Sequence, residues 1–352
     1  MKLEEMFKNH KPYHKEILPP YLIAEAGVNH EGDMNLAYRL IDEAAEGGAH
    51  AIKFQTYKAD TIASKDSPAY WDITKEPTKS QHELFKKYDK FWKSEYEKLK
   101  VKCDQVGIEF LSTPFDVESA NFLNDLMPVF KISSSDITNK PFIEHMCSFK
   151  KPVILSTGAS YLFEVERAVE WIKPFKLPVS LLHCVLNYPT EDQNANLGMM
   201  LHLKEKYPEY MIGYSDHTLP KEMKSLEVAV MFGAVILEKH FTFDKNLPGN
   251  DHYHAMDKED IKNFFKLMKR NFDLIGSCIK EPLASEEPAR RNARRSLVAA
   301  RGIPEGKLID RDDLTWKRPA HGISPSEIDN LLGRKTSKAI EADTVLQWNY
   351  FW

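Results

Sequence analysis

No run in this sequence is long and apolar enough to cross a bilayer; the longest are strand-length. Cysteine is scarce. Cys103, Cys147, Cys184 and Cys278 are scattered and form no CxxC pair, which argues against a disulfide framework or a zinc site. They read as buried thiols in a reducing cytosol. Neither sign of charge dominates: the formal net charge is −4, so there is no electrostatic footprint for nucleic acid or an anionic membrane. The turn after the first apolar strand, Glu25-Ala26-Gly27-Val28-Asn29-His30, has no GxGxxG and so lacks the dinucleotide-binding signature. The opening, Met1 to Met6, shows no apolar signal region, and the expected location is cytoplasmic.

What is present is a rhythm. A hydrophobic content of 42% over 352 residues suits one large α/β domain and a small one. Residues 1–19 read as a polar lead-in arm. Short apolar runs then begin at Tyr21, Ala51, Ile108, Val129, Pro152, Val179, Met211 and Ala234. Most are followed by helical spacing, such as Leu36, Ala37, Leu40, Ile41, Ala44 and Ala45 closed by Gly47-Gly48. Eight strand–helix units predict a closed (β/α)8 TIM barrel of class α/β, with a doubly wound open sheet as the alternative. Residues 58–90 break the rhythm; a loop this long is functional or partly helical. Its Tyr70, Trp71 and Phe85, with Phe91 just beyond, would cap the barrel or pack at a dimer contact.

Barrel active sites lie at the C-terminal strand ends. Each run here ends in reactive side chains: Glu25; Lys53 with Gln55; Thr113; Lys131 with Ser134; Ser156; Tyr188; Ser215 with His217; and Glu238 with His240. Two histidines just past neighbouring strands, His217 and His240, could share a divalent metal ion. Two lysines inside apolar runs are costly to bury without an anion. Buried ion pairs would satisfy them singly; together, amid hydroxyls, they suggest a phosphate and a carboxylate.

The motifs Glu25 to His30, Lys53-Phe54-Gln55-Thr56, Leu111 to Asp116, Tyr214 to Thr218 and Glu238 to Phe241 together resemble the set found in the sialic acid synthase family. The resemblance runs in order from about Tyr21 to the chain's end. It implies a barrel joined to a small antifreeze-like (SAF, β-clip) domain in a domain-swapped homodimer. The expected division is a barrel over 1–282, a linker over 283–293 and the antifreeze-like domain over 294–352. The Pro- and Arg-rich composition of 277–293 agrees, and Arg290, Arg291, Arg294 and Arg295 read as a solvated edge.

The resemblance also implies the chemistry. Phosphoenolpyruvate would condense with an N-acetylated aldose, N-acetylmannosamine or a 2,4-diacetamido-trideoxyhexose, and release phosphate. His217 and His240 would hold a divalent metal, manganese first, magnesium or cobalt otherwise, as a Lewis acid for the aldehyde oxygen. Lys53, Lys131, Thr113, Ser134, Ser156 and Ser215 would hold phosphate and carboxylate. Gln55, Tyr188 and Asp251 would contact the sugar, with Arg318 reaching its acetamido group from the other subunit. Glu25 and Asp136 would orient water or move a proton. Two departures stand out: Ser133-Ser134-Ser135-Asp136 where the family commonly has Gly-Ser-Gly-Glu, and Leu186 where it often has Asn. His252 and His254 read as a sugar-contacting or solvent loop and His183 as a core or metal-supporting histidine. Two rival functions are a keto-deoxy sugar acid synthase using a phosphorylated sugar and a non-catalytic sugar-binding barrel.

Overall fold

The structure, a computed structural model, describes residues 2–11, 17–249 and 251–352. Positions 12–16 of the expected lead-in arm lie outside the described residues. The chain forms two compact units, Met1–Gly276 and Ser277–Trp352.

The large unit holds eight parallel strands: β1 Tyr21–Gly27, β2 Ala51–Thr56, β3 Glu109–Pro114, β4 Phe130–Ile132, β5 Val153–Ser156, β6 Val179–Cys184, β7 Met211–Asp216 and β8 Ile236–His240. Their order is β3-β2-β1-β8-β7-β6-β5-β4, and every paired edge is parallel. The β1–β8 pairing wraps the sheet round. Only β3 and β4 lie together without ladder hydrogen bonds, so the unit is a (β/α)8 barrel with one open seam.

Local chemistry sets the helices. Asp33 accepts from the amides of Asn35 and Leu36 to start Met34–Gly47, and Gly48 closes it at φ +95°. Asp116 accepts from Ser119 to start Val117–Leu123. The helices bury one face each against near-continuous apolar strands, which is why β1 and β6 are buried at every position.

Three expectations are corrected. The start of the arm is a helix, Leu3–Asn9, with Leu3 and Phe7 in the core; the Leu3 amide and the Tyr21 hydroxyl both donate to Glu109 at the N-terminal ends of β3 and β1. The helix therefore covers the barrel's lower end. Next, β7 and β8 run further than their apolar stretches: Ser215, Asp216 and Glu238 to His240 belong to the strands. Last, Cys278 is exposed, although Cys103, Cys147 and Cys184 are buried.

The small unit packs Leu297, Ile303, Ile309, Leu314, Ile323, Leu331, Ile340, Leu346 and Phe351. It pairs β9 Ser296–Ala299 antiparallel with β10 Leu314–Lys317. Its segment Glu287–Asn292 is a short helix, inside the span read as linker. Ser296 Oγ donates to the Pro319 carbonyl at 2.7 Å and accepts from Gly322 at 2.9 Å, which fixes the turn carrying exposed Arg318. A Cβ at Gly322 would sit 2.3 Å from the Leu346 carbonyl, so only glycine fits there. Among the described residues no helix is long and apolar enough to cross a membrane.

Candidate active site

Strand alternation builds the site. Ser215 lies beside Glu238 in the β7–β8 register and Asp216 beside Lys239. Successive side chains face opposite sides of a sheet, so Ser215 and Glu238 share one face and Asp216 and Lys239 the other. On the outer face Lys239 Nζ lies 2.7 Å from Asp216 Oδ2, and both are buried. Tyr214 donates to Asp216 Oδ1 at 2.8 Å, and Lys239 donates to the Thr218 carbonyl at 2.6 Å. This network clamps the end of β7 and so fixes the position of His217. Gly213 makes the close strand approach possible: a Cβ there would lie 2.3 Å from the Ile236 carbonyl.

The inner face carries a buried charge cluster. Lys53 Nζ is 2.5 Å from Glu25 Oε2, 2.8 Å from Thr113 Oγ1 and 3.6 Å from Glu238 Oε1. Lys131 Nζ and Ser215 Oγ each donate to Glu238 Oε1 at 3.3 Å. Gln55 donates to Glu25 Oε1 at 3.0 Å. Burial raises Glu25 to about 7 against the pull of Lys53. Burial would raise Glu238 too, but Lys131 and Lys53 outweigh it and hold that carboxylate low. Both lysines thus have anionic partners within the protein, and Glu238, which the sequence reading left without a role, joins them. Its place at an inward position of β8 was the available signal.

Two imidazoles adjoin this cluster. The His217 and His240 rings are 5.4 Å apart, and Tyr188 stands 4.1 Å from the first and 5.9 Å from the second. His217 donates from Nδ1 to the Val185 carbonyl at 2.7 Å, which leaves Nε2 for another partner. Burial lowers the pKa of His217 to about 4 and that of His240 well below its usual value. Both are neutral near pH 7, the form that binds a metal. His240 Nδ1 is buried without a hydrogen-bond partner and lies 3.7 Å from Asp251 Oδ2. His240, Asp251 and His254 each offer a ligand atom, all within 4.8 Å of one another. Two imidazoles beside a carboxylate fit a divalent first-row cation.

The other expected residues divide. Ser156 Oγ is buried and has no hydrogen-bond partner. Ser134 Oγ accepts from the Gly158 amide at 2.9 Å, with Leu186 packed over the same glycine. Asp136 sits on the turn Ser134–Asp136; Oδ1 takes Asn139, and Oδ2 has no partner. Its hydrogen bond does not reach the lysine cluster. Arg318 lies in the small unit. His183, buried, donates to the Ala195 carbonyl at 2.7 Å and stacks on Tyr214, a core role. His252 and His254 lie in a turn segment, as expected, but both are buried rather than in solvent, because the segment folds back to bridge Phe241 and Met256; His252 lines the cavity over the mouth.

Residues 57–90 roof the mouth. Tyr57, Tyr70, Trp71, Phe85 and Tyr88 line a cavity with Gln55, Tyr188, His240 and Asp251. Among the described residues the same lining holds Glu31 and Glu76 and no lysine or arginine, with Lys87 Nζ 2.9 Å from Glu76 Oε1. Phe91 instead stacks on buried His30 at 4.2 Å.

A barrel with a buried lysine–carboxylate cluster, inward hydroxyls and neutral paired imidazoles at its C-terminal mouth defines an enzyme for an anionic substrate and an oxygen-rich partner. The NeuB family model matches residues 40–280, and the SAF domain model matches 294–351. The chain is 40% identical over 338 residues to N,N'-diacetyllegionaminic acid synthase of Legionella pneumophila, covering 94% of each. It is 32% identical to pseudaminic acid synthase of Helicobacter pylori, covering 93% of this chain and 96% of that one. Among solved structures, N-acetylneuraminic acid synthetase of Leptospira borgpetersenii matches with TM-score 0.69 at 38% identity, covering 77% of this chain and 90% of that one. The chain belongs to the NeuB family, the sialic acid synthases with a barrel and an SAF domain. It is a phosphoenolpyruvate-dependent transferase that forms a carbon–carbon bond.

Proposed function

We propose that the chain condenses phosphoenolpyruvate with an unphosphorylated 2,4-diacetamido-trideoxyhexose to give a legionaminic-type nine-carbon acid. The observation that carries the proposal is the cavity lining. Aromatic rings with Glu31 and Asp251, and no lysine or arginine lining the cavity among the described residues, suit a sugar bearing acetyl and methyl groups and disfavour a phosphorylated one; Glu76 in the same lining is already paired with Lys87 at 2.9 Å. The 40% identity to the Legionella legionaminic synthase supports the same acceptor. N-acetylmannosamine and phosphorylated sugars are the acceptors this reading disfavours.

In this reading Lys53, Lys131, Thr113, Ser134, Ser156 and Ser215 bind the phosphate and carboxylate of phosphoenolpyruvate. The lysines exchange part of their contact with Glu25 and Glu238 for the anion. Gln55, Tyr188 and Asp251 orient the sugar, so that carbon 3 of the enol meets the aldehyde in line. A divalent cation held by His217 and His240 would supply a Lewis acid for the aldehyde oxygen. Water then adds at carbon 2, and the tetrahedral adduct expels phosphate through carbon–oxygen cleavage. Glu25, with its carboxyl proton held to about 7, is placed to give or take a proton beside Lys53. Asp136 is a second candidate, from the turn after β4. Arg318 of a second subunit reaches the distal acetamido group in a domain-swapped dimer. The assignment of the cation as manganese and of the compartment as cytoplasmic belong to the same proposal.

The test is phosphate release with a panel of acceptors, with product mass. Turnover of the diacetamido sugar at least about tenfold above N-acetylmannosamine is expected, a difference of about 1.4 kcal/mol in transition-state binding. Preference for a phosphorylated hexose would overturn the acceptor assignment.

A further inference from the structure

His254 is a side chain at the mouth that the chemistry above does not use. It is fully buried, and neither ring nitrogen has a hydrogen-bond partner. Leaving such groups unpaired costs about 1–3 kcal/mol each, so a bound partner is expected. The backbone brings His254 there by design of the loop. Met256 donates to the His240 carbonyl at 2.8 Å and Thr242 to the Met256 carbonyl at 2.9 Å, which docks the segment along the end of β8. His252 is engaged elsewhere: Nδ1 meets Thr242 Oγ1 at 2.8 Å, and Nε2 lies 3.3 Å from Glu31. His254 instead faces the His240 ring, 4.9 Å away.

The spacing is informative. His254 Nε2 is 3.6 Å from Asp251 Oδ1, and His240 Nδ1 is 3.7 Å from Asp251 Oδ2. Those gaps are too long for hydrogen bonds. Two donors each about 2.1 Å from a shared ion stand about 3.0 to 4.2 Å apart, and both gaps fall in that range. The three residues' ligand atoms lie within 4.8 Å of one another.

We propose that His254 is itself a metal ligand in this chain, and that it forms with His240 and Asp251 a three-residue face for a divalent first-row cation. The inference rests on the metal centre of His217 and His240 proposed above and enlarges it. A further imidazole raises affinity along the series from manganese through cobalt to zinc and disfavours magnesium, which prefers oxygen. It also gives Asp251 a ligand role beyond contact with sugar.

The test uses the full chain, stripped and reloaded with manganese, and counts imidazole nitrogens by pulsed electron paramagnetic resonance. Three are expected in the wild type and two in His254→Ala, with manganese affinity at least about tenfold weaker. Where the alanine variant does not fold, His254→Gln replaces it, and the wild-type count stands without any variant. A merely structural His254 would lower the melting temperature of the stripped protein and leave the count unchanged. A count that His254→Ala does not lower overturns the inference while phosphate release still tests the condensation. Failure to bind manganese at all overturns it together with the metal centre.

Discussion

Replacing Glu238 by glutamine removes one charge and little volume. Glu238 Oε1 is 3.3 Å from Lys131 Nζ and 3.6 Å from Lys53 Nζ, with all three groups buried. At an effective dielectric of about 20 each pair is worth about 5 kcal/mol before desolvation. Glutamine also removes the cost of burying the carboxylate itself, so the loss is smaller than the sum. Breaking a buried pair by removing one partner costs about 3–5 kcal/mol, which for a unit of this size lowers Tm by about 6–10 °C. Lys131 is left without its carboxylate partner, while Lys53 keeps Glu25 at 2.5 Å. An added anion should now replace what was lost. Thermal unfolding of wild type and Glu238→Gln, each with and without inorganic phosphate, measures both effects. The variant should melt lower and gain more from phosphate than the wild type gains. Equal melting with equal phosphate gains would refute the claim that these lysines are poised between an internal carboxylate and a substrate anion.

Four further outcomes follow from the same geometry. His217→Ala or His240→Ala should abolish phosphate release and weaken metal binding while circular dichroism stays unchanged; chelated wild type should be silent and manganese should restore it, so full turnover after thorough chelation would remove the metal from the account. In ligand-free, chelated protein Glu25 keeps its proton to about 7 when folded and loses it near 4.5 when unfolded, so its contribution is complete below about 4.5 and disappears as pH rises through 7; urea titrations should show wild type losing stability relative to Glu25→Gln across that window, and parallel curves would contradict the shift. Asp216→Ala should unfold the clamp on β7, because it leaves Lys239 buried without its anion, at a cost of about 3–5 kcal/mol; a variant as stable as wild type would show the pair to be dispensable. Arg318→Ala should lower kcat/KM for the acceptor by about 2 kcal/mol, roughly thirtyfold, with the KM for phosphoenolpyruvate unchanged, and mixing it with His217→Ala subunits should recover activity; no recovery despite subunit exchange would count against the shared site.

Much of this was legible in the sequence because parallel strands buried on both sides announce themselves as apolar runs, and their polar ends name the mouth. The strand positions, the inward series Glu25, Lys53, Lys131, Ser215 and the pairing of His217 with His240 followed from that pattern. What stayed hidden depends on contacts across long sequence separations. Glu238 was marked only by its inward place in the alternation of β8; its partners stayed hidden, because only closure of the barrel sets it between Lys53 and Lys131. His254 sits in a turn-rich stretch, and its burial follows from the bridge of Met256 to Phe241. The helix Leu3–Asn9 has just two buried side chains, too few for a periodic signal. The roof over the mouth is aromatic without a period, so its direction could not be read from spacing. The extension of β7 and β8 past their apolar stretches follows from polar side chains that pair across the two strands on both faces, Ser215 with Glu238 inward and Asp216 with Lys239 outward.

The central claim is that this mouth joins phosphoenolpyruvate to an unphosphorylated acetamido sugar by carbon–oxygen cleavage of the phosphate ester. Phosphoenolpyruvate carrying heavy oxygen in the bridging position, incubated with the diacetamido sugar and manganese, tests it in one reaction. The account predicts a nine-carbon acid and inorganic phosphate that carries the heavy oxygen, neither of which forms when the sugar is omitted. Heavy oxygen retained in the acid, or no phosphate released with any acceptor, would contradict it.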